Sequence, residues 1–367
     1  MKKIKLILNL MNSNEKFSLL FPLLALCCLS FQIVTAQETP EPPTKVGVTP
    51  KVNPVIITPR PRPNPTPPKS SEAKKVIVNE GFAPAEKLIA VESKVKITLC
   101  VKEGNVKING WDRDEIRAFV EDGSQLGFKI SQTNLKSNKP EWVYVQGYDS
   151  KKTKELKPEE CLSGSEIELD VPRNATIELK SLESEIKIES VAKVWVANLG
   201  GDISLNDIAK GVEATTYRGD IMVERSSGQM ILNNTDGNIL ALDVSPGEIG
   251  DIFKAKTNSG RISLQAVEHR QIETGSVSGS TSFDGELLSG GQYSFSTTNG
   301  SIGLAVPPNS LCKINAWFGY GAFVSEIPLQ NALKKEQSLS AQLGSTDATC
   351  SLNLKTGSGV IRIRKQQ

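Results

Sequence analysis

A short pattern of alternating apolar and polar residues recurs through the second half of the chain, each time around a glycine. The stretches RGDI at 218–221 and DGNI at 236–239 are two copies of it. The glycine recurs at intervals of roughly 20 residues, a period typical of repeat proteins. Its positions are Gly201, Gly219, Gly237, Gly260, Gly279, Gly300, Gly321 and Gly359, and Ser184 takes its place in the first copy.

Four apolar columns accompany this glycine, at two and four residues after it and at five and seven residues before it. The residues between the columns are mostly polar. Each copy therefore predicts two short strands with one apolar face each, joined by a glycine turn. The column two residues after the glycine consists of Ile186, Ile203, Ile221, Ile239, Ile262, Thr281, Ile302, Phe323 and Ile361.

A polar column lies three residues before the glycine. We expect its small side chains to hydrogen-bond to one another and to the turn backbone when copies stack. A copy with two short strands cannot bury its apolar face alone, so the copies must stack on one another. The polar column consists of Ser181, Asn198, Thr216, Asn234, Thr257, Ser276, Thr297 and Thr356.

The sequence therefore predicts an all-β fold. We expect a single-stranded parallel β-solenoid (β-helix) over residues 171–367 and a less regular β part at 76–170. Antiparallel hairpins would usually alternate two turn signals, and leucine-rich repeats need a Leu-rich consensus and an Asn ladder. The stretch 327–343 is the best candidate for a helix. The repeat pattern occurs once in the N-terminal part, at Ile97, Leu99, Gly104, Val106 and Ile108.

The N-terminus has the features of an export signal. Lysines precede the apolar run at 17–36, and Val34 and Ala36 satisfy the small-residue rule for cleavage before Gln37. The run also approaches the ~20 residues that span a bilayer. Residues 1–36 are therefore a cleaved signal peptide or an uncleaved membrane anchor.

Residues 37–75 form a Pro-rich linker that holds most of the prolines of the chain. Such a stretch cannot form a core and samples extended polyproline II structure. Its simplest role is a stiff spacer beside the membrane or through the cell wall. A docking peptide for a Pro-reading domain is the alternative.

Export changes the meaning of the cysteines beyond the signal. Cys100, Cys161, Cys312 and Cys350 would mature in an oxidising compartment, where an even count suggests disulfides. Cys312 and Cys350 occupy the same repeat column, so they can pair if residues 326–349 loop out of the stack. Cys100 and Cys161 form the second candidate pair. The absence of a CxxC spacing argues against zinc.

Charge balance bears on the partners. The chain has 43 Lys and Arg against 41 Asp and Glu, a formal net charge of +2. A nucleic-acid binder needs a basic face, so we expect no nucleic-acid partner. The sequence also contains no GxSxG, P-loop or HExxH motif, and we assign no catalytic residue, metal or cofactor.

The sequence resembles a known family. The box GWDRD at 110–114, the stretch VPRNATIELKSLESEIKI and the successive TxxGDI-like phrases are similar to the putative adhesin family of bacterial envelope proteins. This family is catalogued as a domain of unknown function. The resemblance covers roughly residues 85–365 and implies a parallel β-solenoid and adhesion, without an established ligand. The chain departs from the family pattern at Arg261, Ser280 and Ser301, where Asp is usual.

Three features of the sequence are candidate binding sites. In Arg218-Gly219-Asp220, the Gly and Asp are explained by the repeat, and only the Arg is left to an adhesive function. Asp202, Asp220 and Asn238 are a calcium candidate, although solvated turn residues explain them as well.

The third candidate is the box that contains the tryptophan. It lies in a turn, where an exposed Trp could stack on a sugar or a partner. It consists of Trp111, Asp112, Arg113 and Asp114. In the alternative, Trp111 covers the end of the core and Arg113 pairs with a carboxylate.

Two classes of function remain. The first is a non-catalytic exported envelope protein, an adhesin or surface scaffold that presents a solenoid on a Pro-rich spacer. Its partner would be a glycan or protein of the cell surface or cell wall, and its place the periplasm or cell surface. The second is an extracellular carbohydrate-active enzyme on a β-helix, which would need a carboxylate pair in a groove.

Overall fold

A computed structural model describes residues 85–148, 161–248, 250–344 and 347–366. The expected signal or anchor segment at 1–36 and the Pro-rich linker at 37–75 lie outside the described residues. Every regular element of the described ranges is a strand. Across these ranges no helix is suited to spanning a membrane.

The described residues form 26 strands. They are β1 (Ala85–Ala90), β2 (Lys96–Trp111), β3 (Glu115–Glu121), β4 (Gln125–Thr133), β5 (Pro140–Tyr148), β6 (Leu162–Pro172), β7 (Thr176–Glu183), β8 (Ile186–Glu189), β9 (Lys193–Gly200), β10 (Ile203–Asn206), β11 (Val212–Arg218), β12 (Ile221–Glu224), β13 (Met230–Asp236), β14 (Ile239–Val244), β15 (Ile252–Ser259), β16 (Ile262–Val267), β17 (Gln271–Ser278), β18 (Thr281–Asp284), β19 (Gln292–Asn299), β20 (Ile302–Val306), β21 (Cys312–Trp317), β22 (Ala322–Ser325), β23 (Leu329–Lys334), β24 (Ser338–Leu343), β25 (Cys350–Ser358) and β26 (Val360–Lys365).

Each coil contributes one longer and one shorter strand, and each kind stacks in its own parallel ladder. The long-strand ladder runs from β7 through the odd-numbered strands to β19. The short-strand ladder runs from β8 through the even-numbered strands to β20. Ile203, Ile221 and Ile239 are direct neighbours in the second ladder and at most 1% exposed. The predicted parallel β-solenoid and its inward columns are confirmed.

The stack of coils includes β2, which lies in the N-terminal part. Its first half pairs with β7, with Ile97 opposite Ile177, and its second half pairs with β8, with Val106 opposite Ile186. β2 therefore contributes to both ladders and bends between them at Gly104. The single copy of the repeat pattern read in this part of the sequence is a true coil.

Antiparallel strands extend both ladders at the N-terminal end. The short-strand ladder continues from β2 through β6, β3 and β1, and β3 is antiparallel to both of its neighbours. The long-strand ladder continues from β2 through β5 and β4, which are antiparallel to each other. This is the less regular β part that the sequence predicts.

The last coil of the chain is not the last coil of the stack. β25 pairs with β19 on one side and with β21 on the other. β26 lies in the same way between β20 and β22. The coil of β25 and β26 is therefore inserted between two coils that precede it in sequence, and the column order here is Ile302, Ile361, Phe323.

The segment 327–343 forms two antiparallel strands, so the expected helix is wrong. β24 pairs with β21, and β23 pairs with β24. Leu339, Ala341 and Leu343 are buried and alternate with half-buried neighbours. This period of two suits a strand laid against the core and does not produce the apolar stripe of a helix.

Both expected disulfides are present. Because 326–349 leaves the coil pattern, Cys312 and Cys350 become direct ladder neighbours with Cα atoms 4.5 Å apart. Cys100 and Cys161 are joined with the same Cα separation. A disulfide tolerates a Cα separation of ~4.4–6.8 Å. One bond lies at each end of the stack.

The polar column lies inside the apolar core and bonds to the turn backbone of the preceding coil. Asn198 Nδ2 donates to the Ser184 carbonyl at 2.8 Å. Thr257 Oγ1 donates to the Gly237 carbonyl at 3.1 Å. Buried polar groups need such partners, and this ladder supplies them coil after coil.

Candidate binding face

The GWDRD box, residues 110–114, spans the end of β2 and the turn to β3. Gly110 has no room for a side chain, because a Cβ there would collide with the carbonyl of Ser190. Trp111 is half-buried, its Nε1 donates to the Glu115 carbonyl at 2.8 Å, and the Arg113 guanidinium lies 4.9 Å from its ring centre. The expected carboxylate partner of Arg113 is thus replaced by the ring.

The two aspartates of the box make ion pairs with other segments. Asp112 Oδ1 lies 2.8 Å from Arg173 Nε, and Asp114 Oδ2 lies 3.6 Å from Lys139 Nζ. These contacts tie the β2–β3 turn to the β6–β7 turn and to the start of β5. The four box residues are therefore brought together in space, and their contacts serve the turn.

The RGD tripeptide joins β11 to β12 within one coil. Gly219 has φ of +121°, and a Cβ would collide with the Gly201 carbonyl below it. Asp220 Oδ1 accepts from the backbone N–H of Asn238 at 2.7 Å. Only the exposed Arg218 is left without a role in the repeat.

The proposed calcium row is a ladder of side-chain to backbone hydrogen bonds. The Asp220 N–H donates to Asp202 Oδ1 at 2.7 Å, and the Arg261 N–H donates to Asn238 Oδ1 at 3.0 Å. These oxygens are already used to fasten each coil to the next. In the part of the chain that the structure describes, no group of three or more His, Cys, Asp or Glu side chains is placed to hold a metal ion.

Aromatic and lysine side chains gather on the outer surface of the long-strand ladder, near its N-terminal end. The rings of Trp142 and Tyr144 stack with centroids 5.3 Å apart, and Lys96 Nζ lies 4.5 Å from the Trp142 centroid. Lys180 Nζ lies 5.6 Å from the centroid of Trp195. We call these five residues the aromatic–lysine face.

Strand register places this face on one continuous surface. Tyr144 is opposite Thr98, and Thr98 is opposite Glu178 on β7. Glu178 is in turn opposite Trp195 on β9. Tyr144 and Trp195 therefore stand in one row, three strands apart, at a separation of about 14 Å.

Polar contacts order the face. Trp142 Nε1 donates to Thr98 Oγ1 at 3.0 Å. Lys96 Nζ lies 2.6 Å from Glu178 Oε2, and both side chains remain partly exposed. The three aromatic residues are half-buried, so packing holds them in place while part of each stays exposed.

Sequence reasoning missed this face, although a signal for it exists. Trp142, Tyr144 and Trp195 occupy outward positions of the period-two pattern, where the other strands mostly carry polar or charged residues. A large aromatic at an outward position is an anomaly in such a pattern. In the stretch EWVYVQGYD, the period of two predicts a strand and places its first Trp and Tyr on the same outward face.

A groove of about 890 Å³ lies beside the loops that follow β16 and β18. Its lining carries both signs of charge and includes Glu268 and Glu286 as well as Arg364 and Lys365. Asp284, also in its lining, accepts a hydrogen bond from the Gln366 amide at 3.1 Å. Carboxylates thus line this groove, as the enzyme class would require, and they also line a cavity of about 400 Å³ at Glu166, Glu168, Glu185 and Asp202.

The single histidine of the chain is part of the core. His269 is 0% exposed, its Nε2 lies 2.8 Å from the Gly228 carbonyl oxygen, and its ring meets the ring of Phe253 edge-on. Burial lowers its pKa below the usual 6.5. A neutral imidazole held in this way supports the packing of the loop after β16.

A family model matches residues 94–364, which is most of the chain and nearly all of the described fold. The chain belongs to the Toastrack DUF4097 family. This confirms the resemblance to a solenoid family of unknown function. Among curated proteins, nothing matches this member of the Toastrack family.

Three solved structures are similar to this Toastrack chain at low identity. A putative cell adhesion protein from Clostridium sporogenes is 13% identical, with 77% of this chain and 100% of that chain covered and a TM-score of 0.22. A putative lipid binding protein from Parabacteroides distasonis is 9% identical, with 77% and 97% covered and a TM-score of 0.36. A putative adhesin from Bacteroides fragilis is 11% identical, with 77% and 97% covered and a TM-score of 0.26.

Proposed function

We propose that this protein is a non-catalytic binding protein of the cell envelope, an adhesin or surface scaffold that presents its solenoid on the Pro-rich spacer. The aromatic–lysine face is the observation that carries the proposal. Partly exposed tryptophan and tyrosine rings with neighbouring ammonium groups suit a glycan chain, because sugar rings stack on aromatic faces and lysines attract acidic substituents. The ligand class is an acidic glycan of the cell surface or cell wall.

The shape of this face supports an extended ligand. Three rings lie on the flat outer surface of a ladder, and the row from Tyr144 to Trp195 spans about 14 Å. A surface of this kind contacts several sugar units in line, without an enclosed pocket. Side chains fixed by the ladder lose little conformational entropy on binding, which favours affinity.

Two disulfides support an envelope location. Cys100–Cys161 and Cys312–Cys350 are typical of proteins that mature in an oxidising compartment. The apolar N-terminal run supplies the export route, as a cleaved signal or as an anchor. The GWDRD box lies at the end of β2, and Lys96 lies at the start of the same strand. We assign the box the supporting role of holding β2 in place.

A binding screen of the purified chain against cell-wall preparations and acidic glycans tests the proposal. Trp195→Ala should weaken binding by about thirtyfold, the equivalent of about 2 kcal/mol for the loss of one aromatic contact. Trp317→Ala is the matched control, since Trp317 also lies beside a lysine, with Lys355 Nζ 5.5 Å from its ring centre, but at the other end of the ladder.

The same screen distinguishes the enzyme class. If the two Trp variants bind as tightly as the natural chain, the aromatic–lysine face is not the binding site. Release of sugar from any glycan by the natural chain would favour the carbohydrate-active enzyme. Loss of that release in Glu268→Gln or Glu286→Gln would then locate the chemistry in the charged groove.

A further inference from the structure

The two ladders of the solenoid end at different levels at the C-terminal end. The long-strand ladder continues past β21 through β24 and β23. The short-strand ladder stops at β22, which pairs with β26 on one side, while no described strand pairs with its other side. The hairpin of β23 and β24 therefore extends beyond the open edge of β22, and we call it the overhanging hairpin.

The open edge β22 is only four residues long, but it lacks charge, proline and a bulge, the other features that protect an edge strand. Its sequence is AFVS, without charge or proline, and its pairing with β26 shows no bulge. Of the other edge strands, β4 and β23 contain register shifts, whereas β1 pairs with β3 without one and its Glu86 is paired with Arg117 on β3. Unprotected edges are sites where another strand adds.

The surface around β22 is mostly apolar, although Glu326 and Lys334 also lie beside it. Val324 is 45% exposed, and Tyr320, in the turn before the strand, is 94% exposed. Between β22 and the overhanging hairpin lies a cavity of about 460 Å³. Its apolar lining consists of Phe323, Ile327, Pro328, Leu329 and Leu339.

The N-terminal end is staggered in the opposite sense. There the short-strand ladder extends three strands beyond β2, and the long-strand ladder extends two. β1 is the outermost short-side strand, and its Leu88 is 57% exposed. Two antiparallel steps separate β1 from β6, so β1 runs in the same direction as the coil strands and can continue their parallel ladder.

Exposed apolar side chains are concentrated at these two ends. Of ten large ones among the described residues, three lie in the N-terminal part and four in the segment 317–333. The remaining three lie along the coils between. Paired apolar ends on one molecule are the feature that allows open-ended association of identical copies.

We propose that copies of this chain stack head to tail, with β22 of one copy pairing with β1 of the next. The joint would hold four strands in the long-strand ladder and three in the short-strand ladder. At the joint, the number of strands in the two ladders would then differ by one. At the free C-terminal end, the long-strand ladder extends two strands beyond the short-strand ladder. The contact is heterologous, so it propagates into a filament of solenoids. This inference is independent of the glycan proposal.

Sedimentation of the purified full chain over a range of concentrations tests the proposal. The natural chain should form oligomers that grow with concentration. Val324→Lys places a charge on the open edge and should leave only monomers, and Leu88→Lys should do the same from the other end. Val277→Lys is the matched control, because Val277 is 51% exposed on β17, in the middle of the ladder, and should assemble as the natural chain does.

A mixing experiment identifies the geometry. Val324→Lys retains an intact β1 end, and Leu88→Lys retains an intact β22 end, so their equal mixture should form dimers and stop there. Circular dichroism and the melting temperature confirm folding, and Ala322→Lys, at a second exposed position of β22, replaces Val324→Lys if that variant fails to fold.

Three results would overturn the proposal. The natural chain could remain monomeric up to about 1 mM, a concentration at which even weak specific contacts form. Leu88→Lys could still dimerise, which would mean that β22 pairs with a second β22. Assembly could also be lost in Val277→Lys, which would place the contact on the side of the solenoid.

Discussion

At the scale of single residues, the repeat is held by polar groups as much as by apolar columns. Thr356 Oγ1 donates to the Gly300 carbonyl at 2.8 Å. Thr257 Oγ1 makes the same contact with the Gly237 carbonyl in another coil of the stack. Outside the core, the Asp202 and Asp220 carboxylates accept hydrogen bonds from backbone N–H groups of the next coil. Residues that suggest a ligand site in the sequence are thus explained by coil-to-coil contacts.

Thr281 is an exception that yields a prediction. It replaces isoleucine in its column and is 1% exposed, and its hydroxyl has no hydrogen-bond partner in the described part of the chain. Thr281→Val removes an unpaired buried hydroxyl and should raise the free energy of unfolding by about 1 kcal/mol. Thr257→Val removes a bonded hydroxyl and should lower it by about the same amount.

Chemical denaturation of both variants measures these changes. The two substitutions are chemically identical and both sites are buried, so the packing contribution is similar. A loss of stability in Thr281→Val would mean that its hydroxyl has a partner, such as a buried water molecule.

The candidate site was predictable only in part, because the sequence shows which residues are unusual but does not show which of them become neighbours. The GWDRD turn is recognisable because Gly, Trp and paired charges are rare together. The direction of Trp195 follows from its place between two column positions, yet its proximity to Lys180 depends on which strands become neighbours. That neighbourhood is a property of the stack.

At the scale of elements, the columns were predictable and the order of the coils was not. The glycine and its four apolar positions determine the two strands of every coil, because period two and a turn leave no other face to bury. The patterns of the coils are nearly interchangeable, so they do not determine which coil lies next to which. The shared column of Cys312 and Cys350 was the one sequence clue to the unusual order.

The inserted coil predicts an unusual response to truncation. A chain that ends after Gly344 lacks β25 and β26, so β21 and β22 lose the strands that connect them to the stack. Trypsin should then cleave rapidly at Lys313 on β21, which is flanked by β25 and β24 in the natural chain. Removing a coil that was last in space would instead leave the earlier coils protected.

Limited proteolysis followed by mass spectrometry measures the cleavage. Replacing Cys312 and Cys350 with serine is the control, because it removes the covalent link and retains the inserted coil. If the truncated chain resists trypsin at Lys313 as well as the natural chain does, the coil of β21 and β22 is stable without its neighbour.

At the scale of the whole described molecule, the solenoid is close to one-dimensional. Each coil contacts the coil on either side, so stability is the sum of coil and neighbour contributions, and opening begins at the ends. The disulfides lie where this weakness is greatest. Cys100 is in the first coil and pairs with Cys161 directly before β6, and Cys312–Cys350 joins the last two coils.

Reduction of both disulfides should therefore change the profile of amide hydrogen exchange along the chain. In the oxidised protein, we expect strong protection across the coils from β7 to β20 and protection of comparable strength at the bonded ends. Each bond contributes about 3–4 kcal/mol by restricting the unfolded chain, and reduction removes this contribution from the ends only. Protection of β2, β6, β21 and β25 should fall first, while β11 to β16 remain protected. Hydrogen exchange with mass spectrometry, with and without reductant, measures the profile; an equal loss in every coil would mean that the solenoid opens as one cooperative unit and that its ends are not its weak points.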